Sequence, residues 1–447
     1  MSTDVDVLVA GAGGAGLSAA IAAAQRGASV LVAEAFEHFA RGNNTSMSTS
    51  MIPAAGTRWQ AGAGVADDAA AFLADIERKT KGRADAVIAR ALVGVGPALV
   101  DWLDGECGIP LELVTDFKYP GFSQYRCHTV ANRAGRDLLD GLLRHAAGLA
   151  DLDIVTPARL TGLSTRDGAW TAALQRPGGG TETVTARAVV LATGGFGADT
   201  ALVKEYIPEI AAGVYAGGEG CRGDALRLGA ELGLDTGYLG AYQGHGSWAV
   251  PHSTLLTWAT VMHGAVMVNS AGERFGDETV GYSEYARNVL DQPGAVAWMI
   301  GDRRVHEACL PFQDYRDLDA AGGVRWSDDP AAVIGCPPAA LARTLAGAGP
   351  GDRFGRTLWE RPGIAAPYFL VRVTGALFHT QGGLLVDGDA RVLRDGVPVP
   401  GLYAAGGAAA GISGTGGDGY LAGNGLLGAL GLGYLAGRHA TAAAELG

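Results

Sequence analysis

Val5-Asp6-Val7-Leu8-Val9-Ala10-Gly11-Ala12-Gly13-Gly14-Ala15-Gly16-Leu17-Ser18-Ala19-Ala20-Ile21 is the stretch that decides the fold. The run from Asp4 to Ala10 reads as a short buried strand, and Leu17 to Ala24 consists of strong helix formers. Between them, Gly11, Gly13 and Gly16 stand at G-x-G-x-x-G spacing, the strand–turn–helix pattern of dinucleotide binding. Gly11 permits the tight turn, Gly13 lets backbone approach a pyrophosphate, and Gly16 lets the helix close on the strand. Gly14 and Ala15 lie at the helix N-terminus, whose free N–H groups and partial positive charge suit phosphate. A second strand, Ala28 to Ala33, ends on Glu34 with Ala35 beside it. That places a carboxylate 18 residues past Gly16, where it can grip a ribose hydroxyl pair, and favours FAD or NAD over NADP.

Composition narrows the rest. With 447 residues, 48% hydrophobic and 18% charged, the chain is an ordinary folded protein with room for two or three domain-sized units. A net charge of −12 gives no electrostatic footprint for nucleic acid. Five cysteines without a C-x-x-C pair argue against a disulfide framework, a zinc site or a c-type haem, so no metal is expected. They fit a reducing compartment, and with no secretory signal ahead of the first strand a cytoplasmic location is expected. The Gly- and Ala-rich C-terminal stretch is broken by Asp418, Asn424 and Arg438. It reads as buried core, and no integral membrane segment is expected.

Along the chain, a small polar loop, Ala40 to Met51, follows the second strand, and helices are expected at Asp67–Lys79, Asp85–Leu103 and Ala134–Leu149. Ile154-Val155, Ala158 to Leu163 and Trp170 to Leu174 suggest a small sheet. Arg187 to Ala192 reads as another buried strand, ending in Thr193-Gly194-Gly195 near the switch point of a parallel sheet. Asp224 opens a helix. From Gly237 to Ala365 tryptophans, prolines and charges are scattered and no nucleotide signature occurs; from Tyr368 short strands and glycines return. The expected architecture is α/β: a Rossmann-like dinucleotide domain over residues 1–236 and 366–447, with an α+β cap domain, 237–365, inserted in it. A ligand cleft belongs at their interface.

Gly11 to Gly16, Glu34, Ala192-Thr193-Gly194-Gly195-Phe196, Gly223-Asp224-Ala225, Val268-Asn269 with Gly272-Glu273-Arg274-Phe275, His379-Thr380-Gln381-Gly382-Gly383 and Pro400 to Gly406 follow one another in order. Together they resemble the FAD-binding domain of the fumarate reductase and succinate dehydrogenase flavoprotein superfamily, over nearly the whole chain. That superfamily includes 3-ketosteroid Δ1-dehydrogenases, urocanate reductases, tricarballylate dehydrogenases and aspartate oxidases. The resemblance implies FAD as cofactor and hydride transfer at a CH–CH bond beside a carbonyl or carboxylate. It also implies cofactor contacts from Asn43, Asn44, Thr45, Ser46, Arg159, Asp224, Gly406, Gly407 and the segment Asn424-Gly425-Leu426-Leu427. The histidine of the family's covalent flavin link has no counterpart in loop 43–46, so non-covalent FAD is expected. No second dinucleotide unit and no haem or iron–sulfur signature is present, so an external electron partner is expected.

In fumarate reductases one arginine donates the proton and another clamps the substrate carboxylate. By ungapped alignment from Glu278 and from Asn424, those positions fall on Tyr282 and Tyr420. A tyrosine cannot replace a bidentate guanidinium. Both positions are tyrosines in 3-ketosteroid Δ1-dehydrogenases, and a further active-site tyrosine of that group corresponds loosely to Tyr119. The resemblance thus implies that Tyr282 moves a proton and Tyr420 polarises a ketone. Arg287, close in sequence, would lower the Tyr282 pKa. His379 resembles the fumarate reductase version instead, where the histidine binds a substrate carboxylate. Arg372 and His128 with Arg133 are weaker anchors for an anion. Three readings stay open: a ketone-directed desaturase or ene-reductase, a carboxylate-directed relative, and an electron-transfer subunit with no substrate of its own.

Overall fold

The computed structural model describes residues 3–359 and 363–444. Its first sheet runs, from one edge, through Leu152–Val155, Val30–Ala33, Val5–Ala10, Thr181–Leu191, Val397–Ala404 and Arg391–Arg394. The first five strands are parallel, with Val9 level with Val32 on one side and Val190 on the other. A parallel sheet is covered on both faces, which is why Val7-Leu8-Val9 is continuously apolar and fully buried. Leu152–Val155 therefore joins this sheet, not the small sheet expected for it. Only Arg159–Arg166 and Ala169–Gln175 form the antiparallel extension, against Thr181–Leu191.

The glycine turn is fixed by contact. Gly11 has φ +107°, and a Cβ there would lie 2.4 Å from the Ala192 carbonyl oxygen; at Gly16 it would lie 1.8 Å from that of Gly11. The helix Gly14–Ala24 leaves this turn and meets the C-terminal helix Leu432–Ala444. The long apolar helix Ala86–Gly105 is long and apolar enough to cross a membrane by length and composition. Here it lays Leu92 against Gly431 and Trp102 against Tyr434, with ring centroids 4.9 Å apart, so its apolar face is used inside the fold.

The second sheet is centred on Tyr368–Thr380, with Tyr242–Ala249 and Val296–Gly301 antiparallel on its two sides. Val214–Tyr215 and Arg325–Ser327 also pair with the long strand. The central strand thus lies beyond residue 365, and Val214–Tyr215 lies before residue 237. Composition marks the helices and loops of a cap, whereas its apolar central strand looks like the strands of the first sheet. At its C-terminal end, Thr380 Oγ1 accepts a hydrogen bond from the Phe196 N–H (3.2 Å). This joins the two sheets where both strand ends meet. None of the five cysteines forms a disulfide. Among the described residues no His, Cys, Asp or Glu cluster could hold a metal ion.

Candidate active site

A cavity of about 650 Å³ runs from the C-terminal edge of the first sheet to the second sheet. One end is made largely of backbone. Gly11, Gly13, Gly14 and Ala15 line it, and nothing lies within 4 Å of a Cβ placed on Gly13. The N-cap residue of the helix Gly14–Ala24 is Gly13, which has no side chain to cap it; Thr45 Oγ1 takes the Gly14 N–H, and no acid sits in the first turn. The other N–H groups of the first turn and the helix dipole are left for an anion. Glu34 is nearly buried beside them. Its Oε2 accepts from the Ala12 N–H (2.8 Å) and its Oε1 from the Phe36 N–H (2.9 Å), which orients the carboxylate into the cavity wall.

The loop after the second strand is held by its own polar side chains. Thr45 Oγ1 accepts from the Gly14 N–H (3.0 Å), Asn44 Oδ1 from the Gly218 N–H (2.7 Å), and Asn43 Oδ1 from the Ser46 N–H (3.0 Å). These groups organise the loop, and Asn43, Asn44 and Thr45 line the cavity while Ser46 does not. Ala35, Arg159, Thr193, Gly194, Asp224, Gly406, Gly407, Gly425 and Leu426 also line it; Gly16, Gly195, Asn424 and Leu427 stand behind the wall. Arg159 and Asp224 face each other as an ion pair at 2.8 Å. The open glycine cradle, the helix N-terminus and the steadied carboxylate fit a dinucleotide with a free ribose diol.

The other end consists of side chains from separate segments. Tyr119 comes from a loop, Tyr282 opens the helix Tyr282–Leu290, His379 ends the long strand, and Tyr420 precedes Asn424–Leu426. Their rings meet edge to face: Tyr282 lies 5.9 Å from Tyr420 and 6.4 Å from Tyr119, and His379 lies 5.6 Å from Tyr420, between centroids. The Tyr420 hydroxyl accepts from the Gly425 N–H (3.1 Å), leaving its own proton to give.

Sequence reasoning missed His245, Gln243, Thr257, Trp258 and Phe378, which also line this end. His245 stacks on Tyr282 at 4.7 Å and 22°. Its one signal is Gly244-His245-Gly246. A Cβ on Gly244 would come within 2.7 Å of the Ser283 carbonyl oxygen, so the strand is pressed onto the helix that carries Tyr282.

Charge is nearly absent here. Among the described residues Arg41 and Arg159 are the only Lys or Arg side chains lining the cavity, and both belong to segments of its nucleotide end. Arg287, expected beside Tyr282, is exposed and outside the cavity. Five residues further along a helix, it points to the opposite face. Arg372 is also exposed, Arg133 is paired with Asp116 (2.9 Å), and His128 is buried against Thr57 Oγ1 (2.9 Å); none lines the cavity. Burial therefore sets the protonation states. It raises the Tyr282 hydroxyl well above the usual phenol range, with the neighbouring phenols Tyr420 and Tyr119 adding to it. Tyr119 and Tyr420 are likewise raised by burial. Burial lowers His379 to about 4 and His245 to about 3. At neutral pH the site presents three phenols and two neutral imidazoles.

A family model described as an FAD binding domain matches residues 6–426. The chain is 28% identical over 426 residues to a probable fumarate reductase of Shewanella frigidimarina, covering 92% of this chain and 71% of that protein. It is 27% identical over 544 residues to a 4-oxocyclohexanecarboxylate 2-dehydrogenase of Sinomonas cyclohexanicum, covering 94% of this chain and 92% of that one. Among solved structures, the open conformation of a flavocytochrome c3 fumarate reductase superposes with a TM-score of 0.80 at 27% identity. That match covers 98% of this chain and 78% of the other.

Proposed function

The chain belongs to the FAD binding domain family, and from that premise we propose that it is an oxidoreductase acting on a CH–CH bond beside a carbonyl, by desaturation or by reduction of the C=C. FAD, bound without a covalent link, would be held by Gly11, Gly13, Gly14, Ala15, Glu34 and the loop 43–45. When bound it supplies the hydride acceptor or donor.

The observation that carries the reading is the neutral, hydrogen-bonding character of the reaction end: Tyr119, Tyr282, Tyr420, His245 and His379, with no guanidinium or ammonium among them. A carboxylate taken from water needs charge compensation that these groups lack. A ketone oxygen needs only donors, whose effect grows as negative charge gathers on it. Tyr420 gives a hydrogen bond to that oxygen. Tyr282, kept protonated by burial, gives its proton to the carbon next to the carbonyl when the C=C is saturated, and takes it back in the reverse direction. His379 orients the substrate. Support for CH–CH chemistry beside a ketone also comes from the Sinomonas relative, by name a dehydrogenase of a cyclic keto carboxylate; the Shewanella relative, by name a probable fumarate reductase, points to the carboxylate alternative.

The test is anaerobic bleaching of the flavin in purified holoenzyme by two panels, saturated cyclic ketones and saturated di- and tricarboxylates. Bleaching by ketones is expected. Bleaching by carboxylates alone would overturn the reading in favour of a fumarate reductase-like enzyme; no bleaching by either panel, with no reoxidation of the pre-reduced flavin by the unsaturated partners, would favour an electron-transfer subunit.

A further inference from the structure

We propose that Gln381 is a positioning residue that fixes His379 as the Nε2–H imidazole and so makes it a hydrogen-bond donor toward the cavity. Ser413 is fully buried. Its hydroxyl has one proton, and among the described residues its one acceptor within hydrogen-bond distance is Gln381 Oε1, at 3.0 Å. That bond sets which way the Gln381 amide faces. The other end of the amide, Nε2, can only donate, and it lies 3.2 Å from His379 Nδ1. A donor at that place requires the Nδ1 lone pair, which leaves the ring proton on Nε2. The competing contact, His379 Nδ1 to the Thr380 carbonyl oxygen, is longer at 3.4 Å. It would also set an Nδ1–H against the amide N–H.

The freed Nε2–H has a defined neighbourhood. A Cβ built on Gly425 would lie 2.7 Å from His379 Nε2 and 3.2 Å from the Tyr420 hydroxyl oxygen. Two donors, one imidazole and one phenol, therefore flank the same glycine. A pair of neutral donors at one spot suits a single carbonyl oxygen on which charge grows. This use of the donor rests on the proposed carbonyl chemistry; the tautomer does not.

The experiment uses holoenzyme labelled with ¹⁵N in its histidines, with the His379 signals assigned by loss in His379→Gln. Two-bond ¹H–¹⁵N correlations should show the Nε2–H form in the native protein. In Gln381→Glu they should show the Nδ1–H form, because a carboxylate only accepts. An Nδ1–H form in the native protein overturns the proposal. In turnover with a cyclic ketone, Gln381→Glu should lose about 10²-fold in kcat, the scale of one lost oxyanion donor, with flavin content unchanged. Gln381→Met should lose about tenfold or less, the scale of one neutral hydrogen bond. In a His379→Ala background the two substitutions should become equal. A merely structural role predicts the opposite order, since Glu is the closer match in shape, and leaves the tautomer unmoved; that outcome also overturns the proposal. If no ketone is turned over, the carbonyl chemistry fails while the tautomer measurement still decides the role of Gln381.

Discussion

At the nucleotide end of the cavity, backbone forms the binding surface: a turn in which a Cβ on Gly11 or Gly16 would strike a carbonyl oxygen, open space over Gly13, a helix N-terminus, and one carboxylate pinned by two backbone N–H groups. At the reaction end the surface is aromatic and imidazole side chains from six stretches of chain, with no lysine or arginine among the described residues. The first end is intolerant of volume and tolerant of chemistry. The second is set by hydroxyl and ring nitrogen protons, so it should respond to the loss of single polar atoms. Substitutions at the two ends should therefore fail in different ways.

The largest expected effect breaks the first end. Gly16→Val would drive a side chain into the Gly11 carbonyl. The visible flavin absorbance per chain should fall to about a tenth of the native value or less, as expected when a close backbone approach is blocked. Full flavin occupancy in this variant would mean that the turn does not cradle the cofactor. Next is Tyr420→Phe, which removes one oxygen and almost no volume. Turnover of a cyclic ketone should drop about 10²-fold, with flavin content unchanged. Equal loss of flavin would erase the distinction between the ends.

Acid sharpens the comparison through the histidines. His245 and His128 are buried and His379 is half-buried; desolvation depresses His245, His379 and His128 from 6.5 to about 3, 4 and 4. Groups that fold neutral contribute stability that is complete above their unfolded pKa and is lost as the pH falls toward the folded one. The melting temperature should therefore fall between about pH 6.5 and pH 4. His245→Gln should make that fall shallower. A fall of unchanged steepness would mean that His245 is protonated in the folded protein. The smallest effect is expected at Arg287→Ala. This exposed side chain lies outside the cavity, so kcat should stay within about twofold. A large loss would restore it as a partner of Tyr282.

The same contrast explains what the amino-acid sequence makes legible. Gly11 to Gly16, the two strands around them and Glu34 are contiguous, and their spacing is dictated by one local strand–turn–helix unit. That end of the site can be read from 31 consecutive positions, 4 to 34. The reaction end has no such spacing. Tyr282 and Tyr420 came within reach through resemblance to related flavoenzymes. His245 did not, because its one local sign, the flanking Gly244 and Gly246 in the strand Tyr242–Ala249, marks a close approach without saying that Tyr282 stacks on the ring. Arg287 shows the converse: nearness in sequence to Tyr282 says nothing until helical phase is counted. The second sheet was hard to delimit for a similar reason. Its central strand, Tyr368–Thr380, is as apolar as the strands of the first sheet, and only pairing distinguishes them.

The most direct test of the account is a single turnover. Holoenzyme reduced without oxygen is mixed with a neutral cyclic enone or with fumarate, and flavin reoxidation is followed in the native protein and in Tyr282→Phe. The account predicts rapid reoxidation of the native protein by the enone, little by fumarate, and a rate about 10²–10³-fold lower in Tyr282→Phe with its flavin retained, the scale of a lost general acid. Equal enone rates in the two proteins, or faster reoxidation by fumarate, would contradict it.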